Sequence, residues 1–370
     1  MRILYHHRTR GRNVEGVHIR GIVGALRELG HEVRVVSFPG ADPEVEPRTA
    51  EGAGGAGDRR GWLARLVTRL PGVAFELAEI GYNLVTWWRM RGELRTFRPD
   101  FIYERYSLFL FMTVHMARRR GIPVILEMND SAVVERVRAL HLRALARRIE
   151  RWCLTRADGL VFISTRFRDM LAAHYGDLPP TVVSPNAVDA RFDPAAFDRE
   201  ALRRRHGLEG RVVCGHIGAF AHWHGLPGFV HAVLDRLGDT PALTLLLVGD
   251  GSDLPAIRRE VEARGLGDRI RLPGRVPHHT IPEWIACMDY AFLPDSNEYG
   301  SPMKLFELMA MGVAVVAPDY DPVAEVIDDG RSGWLFPRKQ LGACVERVLA
   351  LADAPDERAR VGAAARTYVE

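Results

Sequence analysis

A chain of 370 residues is too long for one hydrophobic core, so two domains are expected. With 47% hydrophobic and 26% charged residues it has the composition of a folded globular protein, and no run of 18 uncharged apolar residues exists to span a membrane. The net charge is only +3, yet residues 1–190 carry 29 Arg and Lys against 21 Asp and Glu, while the remainder carries 21 against 26; the basic half is the one expected to meet an anionic partner or surface.

The four cysteines, Cys153, Cys214, Cys287 and Cys344, are far apart and lack metal-ligand spacing. They predict a reducing, cytoplasmic setting without a disulfide framework. The N-terminus runs straight into a strand pattern, so no leader is expected.

Arg2–His7 reads as a short strand and Gly11–Gly16 as a polar loop. Val17–Leu29 reads as a helix by its apolar spacing, and Val33–Phe38 as a second strand, completing a βαβ unit. Its loop lacks G-x-G-x-x-G, so no nicotinamide dinucleotide is signalled. Residues 40–60 are rich in Gly, Ala, Pro and acid and read as a surface loop. Residues 59–98 then interleave arginine with Trp62, Leu63, Leu66, Leu70, Phe75, Trp87 and Trp88. A basic amphipathic helix of this kind lies on an anionic membrane surface or packs against a core with a solvated arginine face; the residues alone leave both open.

Asp100–Tyr103 and Pro123–Met128 are strands flanking a helix over 107–120. Asn129, Asp130 and Ser131 follow the carboxyl end of a parallel strand, where ligands sit. A helix over 136–156, a strand Gly159–Ile163, a helix Thr165–Ala173, a strand Val182–Ser184 and a turn over Pro185–Asp189 close this half.

A second alternating set begins with the strand Val212–Phe220 and its loop, which carries His224. A histidine there can donate to a phosphate or simply face solvent. Next come a helix over 226–237, the apolar strand Leu243–Val248 ending in Gly249-Asp250-Gly251, a helix over 253–264, and a strand Ile270–Leu272 followed by Gly274-Arg275-Val276. A helix Pro282–Met288 and a strand Tyr290–Leu293 lead to residues 295–318, DSNEYGSPMKLFELMAMGVAVVAP.

That stretch reads as a loop, a helix from Pro302 to about Met311 with Ser301 as its N-cap, a stop at Gly312, and a buried strand Val313–Val316. Lys304 is the odd residue. It stands in the first helical turn, where the macrodipole disfavours a cation. It is also one of only two lysines, with Lys339, in a chain whose other basic residues are arginines. Glu307 follows on the same face. A helix N-terminus, a cation and a carboxylate together suit an anionic ligand carrying hydroxyls, such as a nucleoside diphosphate with its ribose.

Five segments resemble the family 4 glycosyltransferases: VHIRGIVGALRELGHEV (17–33), ARRRGIPVILEMND (117–130), VVSPNAVDARFDP (182–194), LLLVGDGSDL (245–254) and SPMKLFELMAMGVAVVAPDYDPVAEVIDDGRSGWLFP (301–337). The resemblance implies the α/β GT-B fold: two facing Rossmann-like domains with parallel sheets and an interdomain cleft, divided here as 1–189 for the acceptor and 190–370 for the donor, with the last helix packing back toward the first domain. It implies transfer of a hexose-type sugar from a UDP- or GDP-linked donor to a glycan, lipid-linked or small-molecule acceptor. Transfer would proceed with retention at the anomeric carbon, without a metal or other cofactor and without a nucleic-acid partner. Glu307 would accept from the ribose hydroxyls, Arg275 and Val276 would frame the base, and Gly300, Ser301, Pro302, Met303, Lys304 and Leu305 would hold the diphosphate and sugar. Gly218, Phe220 and Gly249 complete the donor side. Gly16, His18 and Asp130 fall on the acceptor side.

Three places depart from the family pattern. The first of its two glutamates would fall on Tyr299, so Glu298, one residue away, is the candidate to bind sugar hydroxyls. The basic pair expected after the first strand of the second domain is replaced by Ala219 and His224, so Lys304 with His224 would supply the charge. A family histidine is Asn129 here, which can orient a hydroxyl but is no base. A nucleotide-sugar 2-epimerase or a non-catalytic nucleotide-sugar-binding protein on the same fold remain the alternatives.

Overall fold

The computed structural model describes residues 1–9, 14–37, 72–134, 139–221 and 224–370. The predicted 40–60 loop and Trp62, Leu63, Leu66 and Leu70 lie outside the described residues. The chain divides into two compact units, Met1–Pro185 and Asn186–Glu370, just before the predicted boundary.

The first unit is built from β1 (Arg2–His6), α1 (Val14–Glu28), β2 (Glu32–Val36), α2 (Gly72–Thr96), β3 (Phe101–Arg105), α3 (Met112–Arg120), β4 (Val124–Met128), α4 (Arg143–Leu154), β5 (Gly159–Phe162), α5 (Thr165–Tyr175) and β6 (Thr181–Val183). Its six strands are all parallel in the order β2-β1-β3-β4-β5-β6, so the order reverses between β1 and β3. In such a sheet a ligand sits outside the carboxyl ends at the reversal.

Three predicted helix starts move, one with a residue of its own first turn and two with caps from side chains remote in sequence. α1 begins at Val14, placing Gly16 in its first turn rather than in a loop; Glu15 there complements the positive helix end. α3 begins only at Met112, because Asn83 Oδ1 on α2 accepts from the Phe111 and Met112 amides at 3.0 and 2.9 Å and caps the helix from outside. α4 begins at Arg143, where the Glu76 carboxylate of α2 accepts from the His141 and Leu142 amides at 2.6 and 2.7 Å.

The second unit holds α6 (Arg199–His206), β7 (Val212–Ile217), α7 (Leu226–Leu234), β8 (Leu243–Val248), α8 (Leu254–Ala263), β9 (Ile270–Gly274), α9 (Ile281–Ala286), β10 (Tyr290–Phe292), α10 (Met303–Ala310), β11 (Val315–Pro318), α11 (Asp321–Ala324), β12 (Trp334–Phe336), α12 (Leu341–Ala352) and α13 (Pro355–Val369). The all-parallel order is β12-β11-β10-β7-β8-β9, reversing between β7 and β10. All six residues of β8 are buried, as its apolar run, interrupted only by Thr244, predicts for a strand covered on both faces. Phe229 and Phe292 stack on one face of the sheet at 3.9 Å, while Leu305, Leu308 and Met309 of α10 cover the other with Ile217 and Val248.

α6 is a helix the sequence reading passed over, although its signals are local: Asp198 Oδ1 accepts from Ala201 N at 3.0 Å, and Gly207 ends it at φ 64°. β11 starts two residues later than predicted. Gly312 (φ 72°) and Val313 are spent closing α10, their amides donating to Met309 O and Leu308 O. α13 is held inside the second unit. It packs along α10 and α12, and a β-carbon on Gly362 would come within 2.2 Å of the Gly312 carbonyl oxygen.

Candidate functional site

The loops at the β7–β10 reversal are shaped by close backbone approach. Gly218 N donates to Val248 O and Gly249 N to Gly274 O, both at 3.0 Å, and Phe220 N donates to Asp250 O at 2.9 Å. A β-carbon on Gly249 would lie 1.8 Å from Gly218 O, so only glycine fits there. Phe220 offers the loop only its main chain; its ring is fully buried in the core.

Into this corner comes Lys304, from the first turn of α10. Its Nζ is buried and has no hydrogen-bond partner among the described residues. Burial pushes the ammonium down to about 8, with the Glu307 charge opposing. Two histidines share its surroundings. His216, fully buried on β7, has Nδ1 3.1 Å from the Phe292 carbonyl; that oxygen can only accept, so Nδ1 carries the proton and Nε2 is a bare, buried acceptor with no partner among the described residues. Burial and then the Lys304 charge hold His216 well below its usual value and bring His224 down to about 3. Both are neutral, leaving Lys304 as the cation of the cluster.

Ser301 is not the N-cap. That position belongs to Pro302, which makes no side-chain cap, and Ser301 Oγ instead accepts from Asn186 N at 3.2 Å while Asn186 Nδ2 donates to Ser301 O at 2.5 Å. Within 300–305 several amides are already engaged: Gly300 N donates to Asn297 Oδ1 and Leu305 N to Pro302 O. The Met303 and Lys304 amides have no acceptor within the helix. Leu305 itself is core. Glu307 is buried, with Oε1 3.1 Å from His278 Nε2; His278 in turn sits edge-on to Phe192. Glu298 is exposed and makes no hydrogen bond among the described residues, Arg275 is exposed, and Val276 packs against the α10 face of the core.

In the first unit two of the predicted residues, His18 and Asn129, converge on a residue the sequence reading did not single out. Glu127, buried near the end of β4, receives His18 Nε2 at 2.7 Å, Arg105 Nη1 at 2.7 Å and Asn129 Nδ2 at 2.5 Å on one oxygen, and the Tyr5 hydroxyl at 3.4 Å on the other. Burial alone would raise this carboxyl, but His18, Arg105 and Asn129 together leave it below its usual value, hence ionised. Asp130 Oδ1 accepts from Ser131 N at 2.8 Å, and Gly16 is buried in α1. Among the described residues no group of three or more His, Cys, Asp and Glu is placed to hold a metal ion, and no helix is long and apolar enough to cross a membrane.

The profile of the family described as Glycosyltransferase Family 4 matches residues 16–192, and that of Glycosyl transferases group 1 matches residues 211–354. The 2-deoxystreptamine glucosyltransferase of Streptomyces kanamyceticus is 30% identical over an alignment covering 74% of this chain and 73% of that one. The chain belongs to the family 4 glycosyltransferases. A GDP-mannose-dependent alpha-mannosyltransferase of Mycolicibacterium smegmatis is 29% identical over 96% of this family 4 chain and 89% of its own. Among solved structures, Anabaena HepE in complex with UDP superposes with a TM-score of 0.70 at 17% identity, covering 100% of this chain and 94% of that one. WaaG, a glycosyltransferase involved in lipopolysaccharide biosynthesis, does so at 0.68 and 14%, covering 100% and 95%. The fold is thus GT-B, as the resemblance implied.

For this family 4 glycosyltransferase, Lys304, His224, Gly218 and Gly249 gather at one corner of the second sheet, with Met303 beginning the helix that carries Lys304 and Glu307 one turn along it. Glu298, Arg275, Phe220 and Leu305 are not gathered there through their side chains. His216 and Glu127 were missed. The signal available was weak but real: a single polar residue inside each of two otherwise apolar strands, VVCGHI and VILEM.

Proposed function

We propose that the enzyme moves a hexose-type sugar from a UDP- or GDP-linked donor to a hydroxyl of a glycan, lipid-linked or small-molecule acceptor, with retention and without a bound metal. The observation that carries this reading is the buried, unpartnered Lys304 ammonium at the reversal point of the second sheet. A buried cation with no hydrogen-bonded counter-ion is costly, and a diphosphate supplies one. The S. kanamyceticus relative named for 2-deoxystreptamine, the M. smegmatis relative named for GDP-mannose, and the solved HepE complexes with UDP and UDP-glucose support a nucleotide-sugar donor and a hydroxyl acceptor.

In this mechanism the acceptor oxygen attacks the anomeric carbon on the face from which the diphosphate departs. The new C–O bond forms as the bond to the phosphate oxygen breaks, and the hydroxyl proton passes to the departing diphosphate. Lys304, neutral His224 and the free first-turn amides of α10 stabilise the charge that develops on that diphosphate. Glu307 keeps one oxygen on His278 and turns the other to the ribose hydroxyls.

The test is Lys304→Ala. Loss of such a contact costs about 3 kcal/mol, so turnover is expected to fall at least ~100-fold. Near-normal transfer would overturn the assignment, and an epimerised nucleotide sugar formed without acceptor would point to an isomerase instead.

One further observation favours an anionic lipid surface as a partner. α2 exposes Val73, Leu77, Leu84, Trp87 and Trp88, with the Arg91 guanidinium 5.1 Å over the Trp87 ring. An apolar stripe edged by arginine matches the interface of an anionic bilayer.

A further inference from the structure

We propose that Glu127 is a positioning residue for the acceptor, holding His18 and Asn129 at the carboxyl end of the first sheet so that they meet an acceptor hydroxyl. The inference rests on the glycosyltransferase reading and deepens its acceptor side.

Glu127 gathers groups from separate elements: Tyr5 from β1, His18 from α1, Arg105 from the end of β3 and Asn129 from the loop after β4. β1 and β3 flank the point where the strand order of this sheet reverses. Burying a carboxylate is expensive unless its lone pairs are filled, and here donors fill both oxygens. A carboxylate serving only to tie strands together would draw its donors from the interior. Instead the His18 and Arg105 side chains stay 16% and 13% exposed, and Asn129 is half-buried. The cluster is rooted in the sheet and open at its rim.

The chemistry of His18 follows from the pairing. An ionised Glu127 can only accept, so the proton lies on His18 Nε2. The other ring nitrogen, Nδ1, has no partner among the described residues and is left to meet a hydroxyl, accepting from it when the ring is neutral and donating to it when the ring is protonated. Asn129 spends its amide NH2 on Glu127, which fixes the flip of the side chain and leaves its carbonyl oxygen as an acceptor with no partner among the described residues. Two hydrogen-bonding groups locked by one buried anion suit a substrate rich in hydroxyls, such as a sugar or an aminocyclitol. The positioning is indirect, so its loss falls on the acceptor.

The experiment uses the full chain with Glu127→Gln, His18→Gln, Asn129→Ala and the Glu127→Gln/His18→Gln pair. UDP affinity is measured by calorimetry, and transfer from UDP-glucose or GDP-mannose to 2-deoxystreptamine or methyl α-mannoside is followed at saturating donor. Each single variant is expected to raise the acceptor KM at least ~10-fold with UDP affinity within about twofold. The pair is expected to be no worse than Glu127→Gln alone, because the two residues act as one unit. Should Glu127→Gln fail to fold, the partly exposed His18 and Asn129 variants carry the test alone. Acceptor KM within twofold of the parent in both of those, or strict additivity in the pair, overturns the inference. A parent enzyme that binds no nucleotide and turns over neither donor would instead sink the transferase reading beneath it.

Discussion

Gly218 is packed so tightly against Lys304 that a β-carbon on it would stand 2.8 Å from the ammonium nitrogen. Gly218 also holds φ at 126°, a region that side chains resist. Gly218→Ala is therefore expected to strain the loop and displace the cation together. Strain of about 1–3 kcal/mol corresponds to a ~5- to 150-fold loss of UDP affinity. Calorimetry measures this directly, and wild-type affinity in the variant would show that Lys304 does not need this space.

The same lysine makes donor binding pH-dependent. Burial has lowered it to about 8, Glu307 pulling the other way, while His216 and His224, the other titratable groups beside it, are neutral throughout the neutral and alkaline range. Above about pH 8 the empty site loses its charge, and a bound diphosphate restores it by drawing in a proton. Donor affinity is expected to fall by up to about tenfold per pH unit above that point. Calorimetry in buffers of different ionisation enthalpy should show proton uptake on binding. For folding the sign is reversed: between about pH 8 and the usual lysine value the unfolded chain holds the extra proton, so this group favours the folded state more as pH rises.

Glu150 on α4 behaves unlike a typical carboxylate. Burial raises it to about 7 and the Asp130 charge adds to this, although Tyr175, Ala132 N and Ser131 all donate to it and pull the other way. The folded state thus holds this proton more tightly than the unfolded chain, and the contribution to stability declines as pH climbs from the usual carboxyl range through about 7. Glu150→Gln keeps an acceptor for these donors but cannot ionise. The fall in melting temperature between about pH 5 and 8 is expected to shrink in that variant; an unchanged fall would refute the assignment.

Replacing Leu84 and Trp88 on α2 with serine is expected to weaken binding to phosphatidylglycerol vesicles at least ~10-fold, since burying each large apolar side chain contributes about 1.5–3 kcal/mol. Flotation assays measure this. Transfer to a water-soluble acceptor should be unaffected, and retained vesicle binding would remove the lipid partner.

Elements ruled by local chemistry were legible in the sequence. The five apolar residues of β8, interrupted only by Thr244, read as a doubly covered strand, and the misfit of Lys304 in a first helical turn marked the corner to which it belongs. What could not be read was decided by partners remote in sequence. Ser301 has every property of an N-cap, but its hydroxyl and carbonyl are claimed by Asn186, 115 residues earlier. Glu127 gains its meaning from Tyr5 and His18, more than a hundred residues away, and the bare nitrogen of His216 exists because Phe292, on a neighbouring strand, takes the other. Periodicity reports which face of an element is buried. It does not report which distant group will satisfy a buried polar atom.

Gly312 and Gly362 meet main chain to main chain, and Gly312 ends the helix that carries Lys304 and Glu307. Where two helices touch through side chains, rotamers give the contact some slack. Here there is none, because carbonyl rests almost directly on α-carbon. α10 therefore cannot shift alone when a ligand arrives: it and the chain's last helix must travel as one rigid body, and a bulkier residue at position 362 would be felt at the lysine about two turns away.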